Sequence, residues 1–522
     1  MSRASLQQNP KLGRWLVASA VMVSAIMELV DTSAVNVSLP YIAGNLSASV
    51  DESTWVLTSY LVANAIVLPL SGWLASYFGR KRLLIAAVIG FTIASVCCGL
   101  APTLPWLVLF RVLQGAAGGS LQPTTRAILL ETFPPEERGH AMALFGIGIV
   151  VAPIVAPVLG GWLTTNYSWR WVFFLNLPVS ILGLVLVEAF VFDPPYLHRT
   201  SSRIDHWGVG MLVTGVAALQ IMLDKGQEDD WFASRFIVVM TAVAVAGLLG
   251  FVVWELRARE PMVRLRLFRR RTFAVGSSFS LILFFGLYGS IVLLPLFMQT
   301  LLGFPAVTAG LWNAPRGIAT MIAMPLAGLL IGRRWDMRAM IFCGLLVSAL
   351  GAWQFSLLNL DAGPWNFVVP ELVMGAGLSF LFVPLATLTV DPIRPEEMGY
   401  ATSLIAFSRN IGSAVGISIL TTVVARREQF HQMRLTSQMA ANSPALAGAR
   451  SALARLLAGH GAGPAAASRG ALRMLYQEVQ RSSTVLSYLD GFRIIAILLA
   501  LASPLVWLMR KPGSAGRSHT AE

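Results

Sequence analysis

Fourteen stretches of this 522-residue chain are apolar for about the 20 residues that a helix needs to cross a bilayer. They fall at 15–40, 55–77, 83–101, 105–130, 139–163, 171–192, 206–224, 235–256, 273–300, 307–331, 338–358, 365–390, 400–425 and 492–510. Hydrocarbon offers a backbone no hydrogen-bond partner, so each run is expected to satisfy itself as a helix. Composition agrees, with 56% hydrophobic and 12% charged residues. Soluble chains carry about 25% charged residues, twice as many. The chain reads as an all-α polytopic membrane protein. The first fourteen residues are polar, and no A-x-A cleavage site follows, so the first run is expected to stay as a span.

A net charge of +13 could signal nucleic acid, but the basic residues sit in short loops between apolar runs and form no continuous face. Nucleic acid is excluded as a partner; the lipid bilayer is the expected one. Cys97, Cys98 and Cys343 all lie inside apolar runs and read as free thiols packed as small hydrophobes.

Short-loop lysines and arginines set the orientation. With the N-terminus cytoplasmic, that side holds Arg3, Lys11, Arg14, Arg80, Lys81, Arg82, Arg138, Arg199 and Arg203. It also holds Arg257, Arg259, Arg264, Arg266, Arg269, Arg270, Arg271, Arg333, Arg334, Arg338, Arg394, Arg510, Lys511 and Arg517. The short loops opposite hold only Arg170, Lys225 and Arg235. Both termini are therefore expected in the cytoplasm. Residues 426–491 form one long basic segment on the outer side, which is exempt from the rule by its length. Its Ala-rich stretches "PALAGARSALARLLAG" and "RGALRMLYQEVQRSS" look helical, with "GHGAGP" between them.

The chain also repeats itself. "PLSG" at 69–72 returns as "PLAG" at 325–328, and "PEERGHA" at 135–141 returns as "PEEMGYA" at 395–401. Arg111 stands four residues before Gly115, as Glu371 stands four before Gly375. Runs two to five thus correspond to runs ten to thirteen, which implies two six-helix bundles with two inserted helices. The expected organisation is an N-terminal bundle (1–193), a two-helix insert (194–260) and five helices of the second bundle (261–425). The long periplasmic loop (426–491) and the last helix with its tail (492–522) complete it.

The first run carries Glu28 and Asp31, three residues apart and so on one helix face. A carboxylate at bilayer depth is costly and marks a functional position. Burial favours the protonated acid and a nearby arginine favours the charged one. An acid held between the two can take a proton in one conformation and release it in another. Arg111, near mid-depth in run four, needs an acceptor. The expected one is a carboxyl or carbonyl of span one rather than its repeat mate Glu371.

Several motifs resemble those of the major facilitator superfamily, specifically its fourteen-helix drug:proton antiporters of the EmrB/QacA type. They are "LVDTSAVNVSLP" (29–40), "GWLASYFGRKR" (72–82), "RVLQGAAGG" (111–119) and "APIVAPVLGG" (152–161). "WRWVFFLNLP" (169–178), "IMLDKGQEDDWFAS" (221–234) and "LWNAPRG" (311–317) are similar to the EmrB branch. The resemblance covers Leu29 to Arg427 and implies Asp31 as the first proton-coupling acid. Glu28, Arg111 and Glu371 are further candidates. It implies no bound cofactor and no metal, the proton gradient being the energy source.

Pro153 and Pro157 in the fifth run are expected to bend a helix, and Gly160 and Gly161 to let another approach closely. The resemblance implies that Gly72, Gly79, Arg80, Lys81 and Arg82 tie helix ends together and bias the conformational equilibrium, with simple topology anchoring by Arg80, Lys81 and Arg82 as the alternative. Ser76 departs from the family pattern there, which has an aspartate. Candidate cavity residues are Asn36, Trp55, Gln299, Trp312, Asn313, Arg316, Phe380, Arg409 and Asn410, mixed aromatic and polar groups suited to loose recognition.

The implied function is proton-driven export of small hydrophobic or amphipathic compounds, drugs or weak acids, from a Gram-negative inner membrane. A periplasmic adaptor and an outer-membrane channel are the implied partners. A dedicated exporter of a metabolite such as a siderophore, fatty acid or lipid is the alternative within this fold. A membrane enzyme finds no support, for there is no nucleotide-binding loop, no metal-spaced His or Cys cluster and no G-x-S-x-G elbow. The intramembrane acids disfavour a scaffold that transports nothing.

Overall fold

The computed structural model describes residues 10–134, 136–193, 205–258, 260–438, 444–460 and 463–510. Arg3, Arg199, Arg203, Arg259, Lys511 and Arg517, used above for orientation, lie outside the described residues, as does the boundary at 194. Every regular element among the described residues is helical. The first half holds α1 (Pro10–Asn45), α2 (Val50–Phe78), α3 (Arg80–Leu100), α4 (Leu104–Gly118) and α5 (Leu121–Thr132). It continues with α6 (Arg138–Asn166), α7 (Arg170–Phe174) and α8 (Asn176–Phe190). The insert is α9 (His206–Lys225) and α10 (Arg235–Arg257). The second half holds α11 (Arg271–Leu301), α12 (Ala306–Gly332), α13 (Met337–Phe355), α14 (Trp365–Leu388) and α15 (Met398–Gln438). It ends with α16 (Pro444–Gly459) and α17 (Pro464–Ala502).

Local chemistry sets the boundaries. Ser49 and Glu52 form a reciprocal capping box at the start of α2. Gly79, at φ +90°, turns the chain between α2 and α3 in a conformation closed to most residues. Asp205 and Asp336 cap α9 and α13 with their side chains.

Thirteen stretches among the described residues are helical, long and apolar enough to span a membrane. The remaining apolar run, 105–130, is divided at Gly119 into α4 and α5. A Cβ on Gly119 would lie 2.7 Å from the Asn64 carbonyl oxygen, so the break falls where the chain presses against α2. Two short helices in succession thus take the fourteenth crossing.

The halves use one packing scheme twice. α1 packs on α6, α2 on α4 and α3 on α8; correspondingly α11 packs on α15, α12 on α14 and α13 on α17. The halves meet where α2 touches α15 and α6 touches α12. A Cβ on Gly72 would lie 2.7 Å from Tyr400 Cα, and one on Gly328 would lie 3.1 Å from the Gly139 carbonyl oxygen. Gly72 and Gly328 are repeat mates, and so are Gly139 and Gly399. The two seams are images of each other, which is why "PL-x-G" and "PEE-x-G-x-A" recur. The acids recur for a related reason. Glu137 takes Arg14 from the base of α1 at 3.0 Å, and Glu397 takes Arg270 from the base of α11 at 2.8 Å.

The inserted pair α9–α10 lies beside the α2–α15 seam. Asp224 accepts from Thr58, and Lys225 donates to Thr54 Oγ1 at 3.0 Å. Only 17% of the apolar window of α10 is buried, so this helix faces lipid.

The described residues between 426 and 491 are helical, and most of them continue the helices on either side instead of standing apart as a loop. α15 runs on to Gln438, and α17 begins at Pro464 and enters the last span, with α16 packed against it. No proline or glycine stands between Ile417 and Gln438 or between Ala471 and Asp490 to stop either helix. Glu428 accepts from Thr484 at 2.6 Å, and Asp490 gathers Arg427 at 2.6 Å and His431 at 2.8 Å.

Candidate transport site

Arg111 is fully buried in α4 and organises the first half. Its Nη1 donates to Asp31 Oδ2 at 2.7 Å and to Gln114 Oε1 at 2.8 Å, and its Nε donates to the Val56 carbonyl at 3.0 Å. Its guanidinium lies 4.1 Å from the centroid of the Tyr60 ring. Asp31 Oδ1 accepts from Gln114 Nε2 at 3.0 Å and from Asn176 Nδ2 at 2.5 Å. Asn176 reaches on to Ser95 Oγ at 2.9 Å. One carboxylate thus draws α1, α2, α3, α4 and α8 together. The expected acceptor from span one is the Asp31 carboxyl; the carbonyl that also meets Arg111 belongs to Val56 of α2, outside that expectation.

Glu28, one turn away on α1, is held differently. Its Oε1 accepts from Asn64 Nδ2 at 2.8 Å, with the Tyr60 hydroxyl at 3.5 Å. Oε2 is buried and makes no close hydrogen bond, the Gln122 side chain reaching towards the carboxyl without closing one. The two acids therefore differ: Asp31 has an arginine and two amides, whereas Glu28 has no cation in salt-bridge contact.

The second half carries the matching feature with charges reversed. Glu371 is paired through both oxygens to Arg316, Oε2 with Nε at 2.5 Å and Oε1 with Nη2 at 2.8 Å. Arg316 Nη1 also donates to Ser290 Oγ at 2.9 Å. Arg316 is the repeat mate of Tyr60 and Glu371 that of Arg111, so one helix contact is a cation on an aromatic face in one half and an ion pair in the other. The glycines make both approaches possible. A Cβ on Gly115 would meet the Tyr60 carbonyl at 2.3 Å, and one on Gly375 would meet that of Arg316 at 2.4 Å.

The expected cavity residues are spread over several places. Arg316 is committed to Glu371 and 1% exposed, which corrects its assignment to a cavity wall. Asn313 donates to the Ala309 carbonyl of its own helix at 3.2 Å. Trp55 lines a cleft of about 550 Å³ with Glu52, Lys225, Glu228, Asp229 and Phe236. Asn36 and Gln299 are exposed, while Trp312, Phe380 and Asn410 are half-buried. Arg409 is buried on the face of α15, 4.1 Å from the Phe284 ring centroid.

At the basic corner, Arg80 pairs with Glu131 and reaches the Pro395 carbonyl at 3.5 Å across the seam. Lys81 meets Glu188 at 3.3 Å, and its backbone N–H donates to Asp193 Oδ1 at 2.9 Å. Ser76 merely donates to the Gly72 carbonyl at 3.0 Å, and the carboxylates at this corner come from Glu131, Glu188 and Asp193.

α6 runs unbroken through Pro153 and Pro157, and its two glycines are not equivalent. A Cβ on Gly160 would stand 2.8 Å from the Ala34 carbonyl oxygen, whereas one on Gly161 finds only Val37 at an ordinary 3.6 Å. Gly160→Leu is therefore expected to separate α1 from α6 and raise proton leak in proteoliposomes, and Gly161→Leu to leave leak unchanged. Equal leak in the two variants would contradict this contact.

Sequence reading did not single out Gln114, Asn176 or Arg126. The first two lie inside quoted motifs, and Arg126 is a cation within an apolar run, a visible signal.

The sequence profile of the Major Facilitator Superfamily matches residues 21–417. The chain is 35% identical over 517 residues to Multidrug export protein EmrB of Escherichia coli (strain K12), covering 98% of each. It is 35% identical over 506 residues to Fatty acid resistance protein FarB of Neisseria gonorrhoeae, covering 96% of this chain and 97% of that one. Its fold is shared with the proton:xylose symporter XylE at a TM-score of 0.62 and 14% identity, covering 96% and 97% of the two chains. The chain is a multi-pass membrane transporter and not an enzyme, and it belongs to the major facilitator superfamily, in the group of the EmrB multidrug export proteins.

Proposed function

We propose that this protein exports small hydrophobic and amphipathic compounds across a bacterial inner membrane in exchange for protons, with both termini in the cytoplasm. The observation that carries the reading is the unequal pair of acids on α1. Asp31 is locked by Arg111, Gln114 and Asn176, and Glu28 keeps an oxygen with no partner. A bare carboxylate oxygen at this depth is costly, whereas a protonated carboxyl needs no donor there. The geometry therefore favours Glu28 as the proton carrier and Asp31 as the anchor beside it, the reverse of the order implied by the family motif. The proton gradient is the energy source in this reading. The printed names of the relatives support both drugs and fatty acids as cargo, and a dedicated exporter of one metabolite is the second reading.

Expression in a pump-deficient bacterium should raise resistance to several unrelated hydrophobic compounds, and an uncoupler should abolish the efflux. Resistance to a single compound only would favour the dedicated exporter; none at all would overturn both.

The helices α15, α16 and α17 support a docking role. We assign them to a periplasmic adaptor, itself joined to an outer-membrane channel. Leu456, Leu472, Met474 and Tyr476 are exposed along them, together with a row of arginines. Replacing residues 444–460 with a short linker should leave substrate binding by the isolated protein unchanged and weaken adaptor crosslinking and whole-cell resistance. Unaltered crosslinking would remove these helices from the interface.

A further inference from the structure

Five arginines within the helices are buried to a few per cent exposure: Arg80, Arg111, Arg126, Arg316 and Arg409. Three have a carboxylate, namely Glu131, Asp31 and Glu371. Arg126 and Arg409 have none within salt-bridge distance among the described residues, and the Nε of each is buried without a hydrogen-bond partner. A buried guanidinium lacking a counter-charge is costly to hold. Two such groups from opposite halves of a transporter require an explanation.

Their positions provide one. Arg126 Nη2 donates to the Ala386 carbonyl of α14 at 3.2 Å. These two residues are 260 apart, the same interval as Arg111 of α4 and Glu371 of α14, and α5 continues the apolar run of α4, so they are repeat mates. Mates can touch only where the pseudo-twofold axis passes, which puts Arg126 on that axis, between the halves. Arg409 lies 5.6 Å from the Phe382 ring centroid, and Phe382 is one turn from Ala386 on the same face of α14. Phe284 and Tyr288 of α11 are stacked beside Arg409, with Phe284 at 6.4 Å from Phe382. Glu28 accepts from Asn64 at 2.8 Å and makes no hydrogen bond with Arg409.

We propose that Arg126 and Arg409 form an anion clasp on the axis between the halves that takes the carboxylate of an amphipathic organic acid, whose apolar body lies on Phe284, Tyr288 and Phe382. Planar guanidiniums match a carboxylate's two oxygens, and the aromatic faces suit a ring or chain behind it. A ligand held from both halves favours the conformation that brings them together, and so biases the transport equilibrium. The proposal rests on the export reading for its cargo but not for its binding.

The test uses purified full-length protein in lipid nanodiscs and three probes sharing one ring system. They are 2-naphthoate, the neutral 2-naphthylmethanol and the cationic 2-naphthylmethylammonium. Wild type should bind naphthoate at least tenfold more tightly than the alcohol. Arg126→Gln and Arg409→Gln should each remove most of that preference while still binding the alcohol, which also shows that they are folded. Arg→Lys at either site should be intermediate. Should the Gln variants fail to fold, the wild-type preference together with the Lys variants decides the matter. Equal affinity of wild type for acid and alcohol overturns the clasp, as does full displacement of naphthoate by an equal concentration of chloride or sulfate, which would mean a site for an inorganic ion only. Wild type that exports neutral and cationic compounds but shows no acid preference defeats the clasp and leaves the export reading standing. Wild type that prefers naphthoate but supports no efflux does the reverse.

Discussion

Arg111→Ala is expected to lose about 3–5 kcal/mol of stability and all transport, because it strips a fully buried carboxylate of its cation. Asp31 would keep only the amides of Gln114 and Asn176, and the Val56 carbonyl and the Tyr60 ring would lose their partner as well. Arg111→Lys should recover only part of this, since an ammonium cannot reach Asp31, Gln114 and Val56 at once as the planar fork does. The cause can be separated from simple loss of packing. Asp31→Leu combined with Arg111→Met removes both charges and should be more stable than either single change, yet transport nothing. Thermal unfolding in detergent beside transport in proteoliposomes reads both quantities. An Arg111→Ala protein with wild-type melting and export would show the pair to be dispensable.

The sequence made the fold legible because lipid imposes so strict a rule on length and polarity. The fourteen runs, the duplicated halves and the inserted pair could all be read from apolar stretches and three recurring motifs. Physical detail beyond one segment was less visible. The break at Gly119 depends on contact with Asn64 of another helix, which no local pattern records. Continuation of α15 and α17 beyond the bilayer was obscured by their polar composition, although the absence of helix breakers was there to see. At the site, the need of Arg111 for an acceptor pointed to a carboxyl or carbonyl of span one, and Asp31 supplies the carboxyl. Arg316 was set in the cavity because its partner Glu371 lies 55 residues away, and a ladder of single residues does not show which charges meet. Which of Glu28 and Asp31 is fully satisfied depends on Gln114, Asn176 and Asn64, whose side chains converge only in the folded helix bundle.

Glu28→Gln is the substitution expected to uncouple the protein while leaving it intact. Glutamine keeps the oxygen that accepts from Asn64 and puts an amide where Oε2 has no partner, so the packing of α1 on α2 should survive. It carries no exchangeable acidic proton. Export driven by a pH gradient should fall by about tenfold or more, the size of a typical coupling between two sites. Asp31→Asn should behave otherwise, because its amide would face the N–H groups of Gln114 or Asn176 and leave Arg111 without a counter-charge. Its main signature should be lost stability. Reduced melting temperature in Asp31→Asn but not in Glu28→Gln checks that contrast.

The most direct test reconstitutes wild type and Glu28→Gln in proteoliposomes and measures substrate movement in two modes, driven by an imposed pH gradient and by exchange of labelled for unlabelled substrate without one. Wild type should perform both, whereas Glu28→Gln should exchange at close to the wild-type rate and no longer respond to the pH gradient. Gradient-driven transport by Glu28→Gln at the wild-type rate would contradict the assignment of the transported proton to Glu28.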